Sequence, residues 1–337
     1  MIITQVPFRI SFFGGGTDFP AFFEKHGGKV ISTSIDKYCY LNVRHLPPFF
    51  DYATHITYSI IESAKSEDDI QHPAIREAMK FLDMHELSIT YDADLPARSG
   101  LGTSSSLAVA LLMSFYALKG KYVDKQRLAT EAIHLERDLC KESGGLQDQI
   151  AAAYGGLNRI DFSSEGFEVN PIVISNPRKR QLNDNLMMFF TGFSRFSSSI
   201  QVEHEKAIHT KEQQLIELLS LVDEAEKTLI MGDLDDFGRM LDHTWQLKRG
   251  LNASVSTEAI DQFYETAKKA GALGGKLLGA GGGGFLLLYV RSEDQPQVRR
   301  SLSQLKEIPF RFEDGGARIL YYASEDYIPP EGSKSSC

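Results

Sequence analysis

From Met1 to about Phe162 the chain alternates short β-branched and aromatic runs with segments of helical period. Val30 to Ile35, Tyr38 to Val43, His55 to Ile60 and Leu87 to Tyr91 have the length and residue types of strands. Leu107 to Leu118 is almost entirely apolar and follows Ser104, Ser105 and Ser106, good N-cap types, which predicts a buried helix starting at the serines. That run is too short to cross a bilayer, which takes about 20 residues. A second helix is predicted over Asp124 to Cys140. Between Ser163 and Asp184 the periodicity is lost around Pro171, Pro177 and Arg178 to Arg180, which suggests a connection between domains. The second half begins near Leu186. It holds a predicted strand over Leu186 to Thr191 and amphipathic helices over Glu203 to Met231, Asp233 to Lys248 and Thr257 to Ala270. A glycine-rich turn and an apolar strand, Phe285 to Val290, follow. There is no internal repeat, and Gly332 to Cys337 is expected to fray.

A length of 337 residues with 42% hydrophobic and 24% charged positions suits two folded domains, here expected as residues 1–180 and 181–337. The net charge of −9, from 36 basic and 45 acidic residues, argues against generic binding to nucleic acid or to anionic membranes. Cys39, Cys140 and Cys337 are too few and scattered for a disulfide framework or a CxxC metal site. The N-terminus enters strand-like alternation with no basic and apolar leader pattern, so a cytoplasmic location is expected. The 28 glycines are ordinary in number but clustered.

Four short matches fail on context. Asp236-Phe237-Gly238 lies within a helical period and has no accompanying kinase motifs. His204-Glu205 with His209 misses the zinc-protease spacing, because Ile208 stands where the second histidine belongs. Gly279, Gly281 and Gly284 fit GxGxxG but lead into a strand where a dinucleotide fingerprint opens a helix. Lys276 lacks both the first glycine and the Ser/Thr of a P-loop, since those places hold Ala270 and Leu277.

Four constellations remain. Leu95 to Ser106 joins glycines to a hydroxyl-rich helix start, where free N–H groups and the positive dipole end suit a polyphosphate; a plain Gly-Ser turn capping a core helix is the alternative. Pro7 to Asp18 carries a glycine triplet and an acid, consistent with hydroxyl recognition or with a polar turn. Ser143 to Gln149 sets the lone carboxylate Asp148 after two glycines, as a general base or as a helix cap. Lys276 to Phe285 is a bend with four consecutive glycines, more than a hairpin requires.

Taken in order, Pro7–Asp18, Pro96–Ser106 and Lys276–Phe285 resemble the three motifs of the GHMP kinase superfamily over nearly the whole chain. Within that superfamily they are most similar to heptose 7-phosphate kinases, with FGGGTD, RSGLGTSSS and KLLGAGGGGF as the matching segments. The resemblance implies an α+β, two-domain fold, with an N-terminal domain like ribosomal protein S5 domain 2 and a ferredoxin-like C-terminal domain. It implies that Gly100, Leu101, Gly102, Thr103, Ser104 and Ser105, together with Gly281, Gly282 and Gly283, hold ATP. Ser104 and Glu136 would bind Mg2+. Asp148 would be the base, with Arg9 as the cation beside it, and Gly15, Gly16, Thr17 and Asp18 would meet the sugar.

Galactokinases have an acidic residue and a histidine where this chain has Gly15 and Gly16, which leaves room for a larger sugar. A substrate phosphate would require cations, and Arg98, Lys248 and Arg249 are candidates unless they are surface charges. The implied activity is ATP-dependent phosphorylation of the anomeric hydroxyl of D-glycero-D-manno-heptose 7-phosphate to the 1,7-bisphosphate, in the supply of nucleotide-activated heptose. A fucokinase-like sugar-1-kinase and a non-catalytic ATP and sugar sensor are the competing expectations. Expected partners are ATP, a sugar phosphate and, as a homodimer, a second copy, with neither nucleic acid nor membrane.

Overall fold

The computed structural model describes residues 1–97, 99–192, 202 and 210–323. The first half runs β1 (Ile2–Phe13), α1 (Pro20–His26), β2 (Gly28–His45), β3 (Thr54–Thr57), β4 (Ile61–Ala64), α2 (Pro73–Phe81) and β5 (Leu87–Ala93). It continues with α3 (Thr103–Leu118), α4 (Lys125–His134), a π-helical turn (Leu135–Leu139), α5 (Gln147–Tyr154), β6 (Leu157–Ser163), β7 (Gly166–Pro171) and α6 (Asn176–Asp184). Then come β8 (Leu186–Gly192), α7 (Glu212–Met231), α8 (Leu234–Leu251), α9 (Glu258–Lys269), β9 (Gly274–Leu277), β10 (Gly284–Tyr289) and α10 (Gln295–Ser301). Three short strands close the described chain: β11 (Lys306–Glu307), β12 (Phe312–Glu313) and β13 (Arg318–Tyr322).

The strands form two sheets. The larger has the path β13-β1-β2-β5-β3-β4, with β6 and β12 also paired to β2 and β7 paired to β6. The smaller is β11-β8-β10-β9, antiparallel throughout. The two strands expected at Val30–Ile35 and Tyr38–Val43 are one, β2. Its register against β1 slips between Pro7, opposite Tyr38, and Phe8, opposite Ile35. Asp36 and Lys37 bulge out there, which is why the hydrophobic run looked interrupted.

Two further expectations change. The span 163–184, read as a connection, contains β7 and α6. Ser175 caps α6 and Pro177 lies in its first turn, so a proline that suggested a loop is a helix-start residue. The helix expected over Asp124–Cys140 gives way after His134 to the π-helical turn, where Cys140 N–H donates to Leu135 O at 2.9 Å. His204, Glu205, His209 and Gly332 to Cys337 lie outside the described residues.

α3 is buried on nearly all sides against β1, β2 and its neighbouring helices. One apolar core joins the two halves: Phe237 of α8 packs edge-on against Phe12 and Phe13 at the end of β1, at 5.3 and 5.0 Å between ring centres. The Asp-Phe-Gly triplet is thus packing. A Cβ on Gly238 would stand 2.5 Å from the Tyr289 ring. A second core surrounds Trp245, Tyr264, Leu286 and Leu288. The strands β12 and β13 return to β2 and β1, so the larger sheet draws on both sides of residue 180.

Candidate active site

The glycines of the second and third motifs are there because two backbones touch. Gly100 and Gly102 have left-handed φ values of 84° and 75°, and a Cβ on Gly100 would lie 2.3 Å from Leu278 O. Equally, a Cβ on Gly279 would lie 2.4 Å from Gly100 Cα, and one on Gly284 2.4 Å from Ser99 O. Beyond this contact α3 begins at Thr103 with no side-chain cap, leaving its first-turn N–H groups without helical acceptors. Leu101 does not line the cleft: its side chain is in the core, and its carbonyl accepts from Arg9 N–H at 3.1 Å. Gly281, Gly282 and Gly283, expected at the nucleotide, are also absent from the cleft wall. Gly281 packs on Val255 and Gly282 N–H donates to Val255 O at 3.1 Å, while Gly279 and Ala280 face the cavity.

The cleft these loops enclose measures about 620 Å3. At one end Glu136 is buried and accepts from Ser104 Oγ at 2.7 Å, from Ser105 Oγ at 2.6 Å and from Gln149 Nε2. Glu136 reaches both serines from the π-helical turn, a local widening of the helix that recurs at functional sites. No cation neutralises it among the described residues, and a carboxylate with hydroxyl oxygens is the hard donor set that Mg2+ takes alongside water and phosphate. Groups of three or more His, Cys, Asp or Glu able to hold a metal are absent among the described residues. Any metal here would depend on ligands from a bound polyphosphate.

In the middle, Arg9 and Asp148 form a bidentate pair, Nε to Oδ1 and Nη2 to Oδ2, both 2.7 Å. Arg9 Nη1 also donates to Gly100 O at 2.7 Å, so one guanidinium ties β1, the first turn of α5 and the glycine loop together. Asp18 sits beside them. Its Oδ1 accepts from Gly16 N–H at 3.0 Å and its Oδ2 from Gln147 Nε2 at 3.0 Å and Gln147 N–H at 3.3 Å. Burial nonetheless pushes its carboxyl above the ordinary range, with nearby Asp148 adding to the effect. A Cβ on Gly145 would lie 1.9 Å from Asp18 Oδ2, which explains that glycine.

Gly15, Gly16, Asp18 and Lys248 line the cleft as expected, but Thr17 does not. Its hydroxyl donates to Gly14 O of its own turn at 2.8 Å or to Lys29 O of β2 at 2.9 Å, and accepts from Lys29 N–H at 3.1 Å. Arg249 is also away from the cleft wall, paired with Asp261 at 3.3 Å. Arg98 lies outside the described residues. Lys276, at the head of the third motif, is buried and lines the cleft.

Several lining residues escaped the sequence reading. Gln147 on the wall and Gln149, buried behind it, were visible only as neighbours of Asp148, yet each holds a different acid, Asp18 and Glu136. Arg137 donates to Glu142 O at 3.0 Å and Gly145 O at 2.7 Å, fastening the loop that carries Asp148 to the turn that carries Glu136. Lys141, with φ 54°, stands on the cleft wall. Helical period carries no sign of either.

No helix among the described residues is long and apolar enough to cross a membrane. Residues 70–156 match the model of the GHMP kinases N terminal domain, and residues 218–307 that of the GHMP kinases C terminal. The chain is similar to the D-glycero-alpha-D-manno-heptose 7-phosphate kinase of Campylobacter jejuni, at 31% identity over 86% of this chain and 89% of that protein. It is also similar to the bifunctional fucokinase/GDP-fucose pyrophosphorylase of Arabidopsis thaliana, at 26% identity over 90% of this chain but only 31% of that much longer protein. In fold it resembles the crystal structure of a D-glycero-D-manno-heptose 1-phosphate kinase from Bacteroides thetaiotaomicron. The TM-score is 0.79 at 24% identity, covering 96% of this chain and all of the other. Three glycine motifs meeting at one cleft, and family models matched in both halves, lead to one conclusion: the chain belongs to the GHMP kinase family.

Proposed function

We propose that this chain is a sugar-1-kinase that transfers the γ-phosphoryl group of ATP to the anomeric hydroxyl of D-glycero-D-manno-heptose 7-phosphate, giving the 1,7-bisphosphate. The observation that carries this is the Arg9–Asp148 pair, placed between the glycine cradle of α3 and the Gly15–Asp18 loop. The relative named for heptose 7-phosphate covers most of both chains, which favours that sugar over fucose.

The residues divide the work by position. N–H groups at the start of α3 and the backbone of Gly100, Gly102, Gly279 and Ala280 hold the ATP phosphates. Ser104 and Glu136 would hold Mg2+, which supplies charge neutralisation of the phosphates when bound. Asp18 and the open backbone of Gly15 and Gly16 orient the sugar. Arg9 fixes both oxygens of Asp148, and each oxygen keeps a lone pair for the acceptor hydroxyl. Asp148 then takes the proton of that hydroxyl as the oxygen attacks phosphorus, and Arg9 steadies the charge as it moves. In a reaction governed by positioning, this rigidity holds the base in line with the attacking oxygen.

ADP release measured with heptose 7-phosphate, fucose, mannose and galactose should be greatest with the heptose phosphate. Phosphorus NMR should place the new phosphate at the anomeric carbon. Asp148→Ala should lower kcat by about 10^2 to 10^4-fold. An unchanged rate in that variant removes the base assignment, and two-ligand binding with no ADP from any sugar revives the sensor.

A further inference from the structure

Two buried lysines in the cleft have no task in that scheme. Lys248 on α8 and Lys276 on β9 both line the cavity, and they are only 8% and 3% exposed. Each ammonium makes a single hydrogen bond among the described residues, Lys248 Nζ to Gly279 O at 2.5 Å and Lys276 Nζ to Phe12 O at 2.9 Å. An ammonium carries three donors, so each keeps two unused. Neither is in an ion pair with any described residue. The nearby acids are engaged elsewhere, Asp148 by Arg9 and Asp18 by Gly16 and Gln147.

Such an arrangement is unfavourable in the empty protein. Burial, the charge of Arg9 and, for Lys276, that of Lys248 push Lys276 well below the ordinary lysine range and Lys248 down to about 8. An apolar side chain of similar length would fill either place at lower cost. Two like charges in one cavity, neither with an ion-pair partner among the described residues, match a ligand carrying more than one negative charge.

Their backbone partners show which ligand. Phe12, the partner of Lys276, leads directly into the Gly14–Gly16 loop, and Asp18 of that loop acts electrostatically on both ammonium groups, as Asp148 does on Lys248. Ser104, Ser105 and Glu136, on α3 and the π-helical turn, bond to neither lysine, and Lys248 reaches only the Gly279 carbonyl, at the border between the glycine cradle and the rest of the cleft. We propose that Lys248 and Lys276 form a phosphate subsite on the acceptor side of the cleft, holding a phosphate monoester that the sugar carries in addition to the hydroxyl presented to Asp148. The assignment rests on the kinase reading of this cleft and gives it a specificity element. Fucose has no group to place there.

The test compares heptose 7-phosphate with the same heptose lacking its phosphate, in the wild-type protein and in Lys248→Met and Lys276→Met. The expected result is a rise of about 30-fold or more in Kd and KM for the phosphorylated sugar in each variant. The KM for ATP should stay within about twofold, and the preference for the phosphorylated sugar should be lost. Equal losses with both sugars, or a fall in kcat with acceptor Kd unchanged, would overturn the subsite and assign the lysines to the transferred phosphoryl group. Lys276→Arg and nucleotide-analogue binding serve as controls for folding. Binding of inorganic phosphate with the nucleotide site saturated by a non-hydrolysable ATP analogue needs no turnover. Absence of heptose kinase activity with lysine-dependent phosphate binding refutes the function alone; lysine-independent phosphate binding refutes the subsite alone.

Discussion

The two ends of the cleft handle buried charge in opposite ways. At the end proposed for the nucleotide one carboxylate, Glu136, is surrounded by donors: two serine hydroxyls and a glutamine amide. At the end proposed for the acceptor two ammonium groups have one carbonyl each and repel one another. The first end is at rest without ligand and adapts by turning hydroxyls. The second stores unfavourable electrostatics that an anion relieves. Charge that is already satisfied provides a scaffold, whereas unsatisfied charge provides selectivity, because only the right ligand recovers the energy.

The sharpest way to break this contrast is at Glu136. Glu136→Gln keeps the shape but removes the negative charge, so kcat should fall by about 10^2-fold and the Mg2+ concentration for half-activity should rise, while acceptor Kd is unchanged. Activity titrated against Mg2+ at fixed ATP decides it; an unaltered Mg2+ dependence places the metal elsewhere.

A smaller effect is expected from pH at the other end. Lys248 loses its proton near pH 8 in the empty protein, and the neutral amine does not attract phosphate. Acceptor affinity should therefore fall several-fold between pH 7 and 9, and titration calorimetry should show no such fall in Lys248→Met. The smallest effect is on stability. Since the folded value of about 8 lies below the unfolded lysine value, the unfolded chain binds more protons between them, and this lysine adds stability as pH rises through that window. Urea unfolding at pH 7 and 10 should show a gain in the wild type, relative to Lys248→Met, of at most about 3 kcal/mol. A pH-independent difference would mean that Lys248 is solvated in the empty cleft.

The motifs were legible because close backbone contact demands glycine. Thirteen of the 28 glycines lie in or beside three segments, and Gly100, Gly279 and Gly284 are there to let two chains touch. Elements of strong local pattern, such as α3 and β10, were equally readable. The π-helical turn was not, since a single widened turn leaves the apolar spacing on either side intact. Thr17 and Gly281 to Gly283 show what motif membership does not tell: it placed them at the ligand, whereas in the folded chain Thr17 bonds Gly14 and Lys29 and Gly281 and Gly282 meet Val255.

The sequence alone determined where glycines cluster to let the backbone bend left-handed, where the apolar helix α3 begins and which acids and bases stand near glycines, because these follow from steric and hydrogen-bonding demands within a few residues. Only the tertiary structure decided that β12 and β13 close the first sheet, that Lys276 is a buried cation of the cleft and that Arg9 grips Asp148 across 139 positions. Burial and electrostatic pairing depend on which distant segments pack together, and no local window of the chain contains that information.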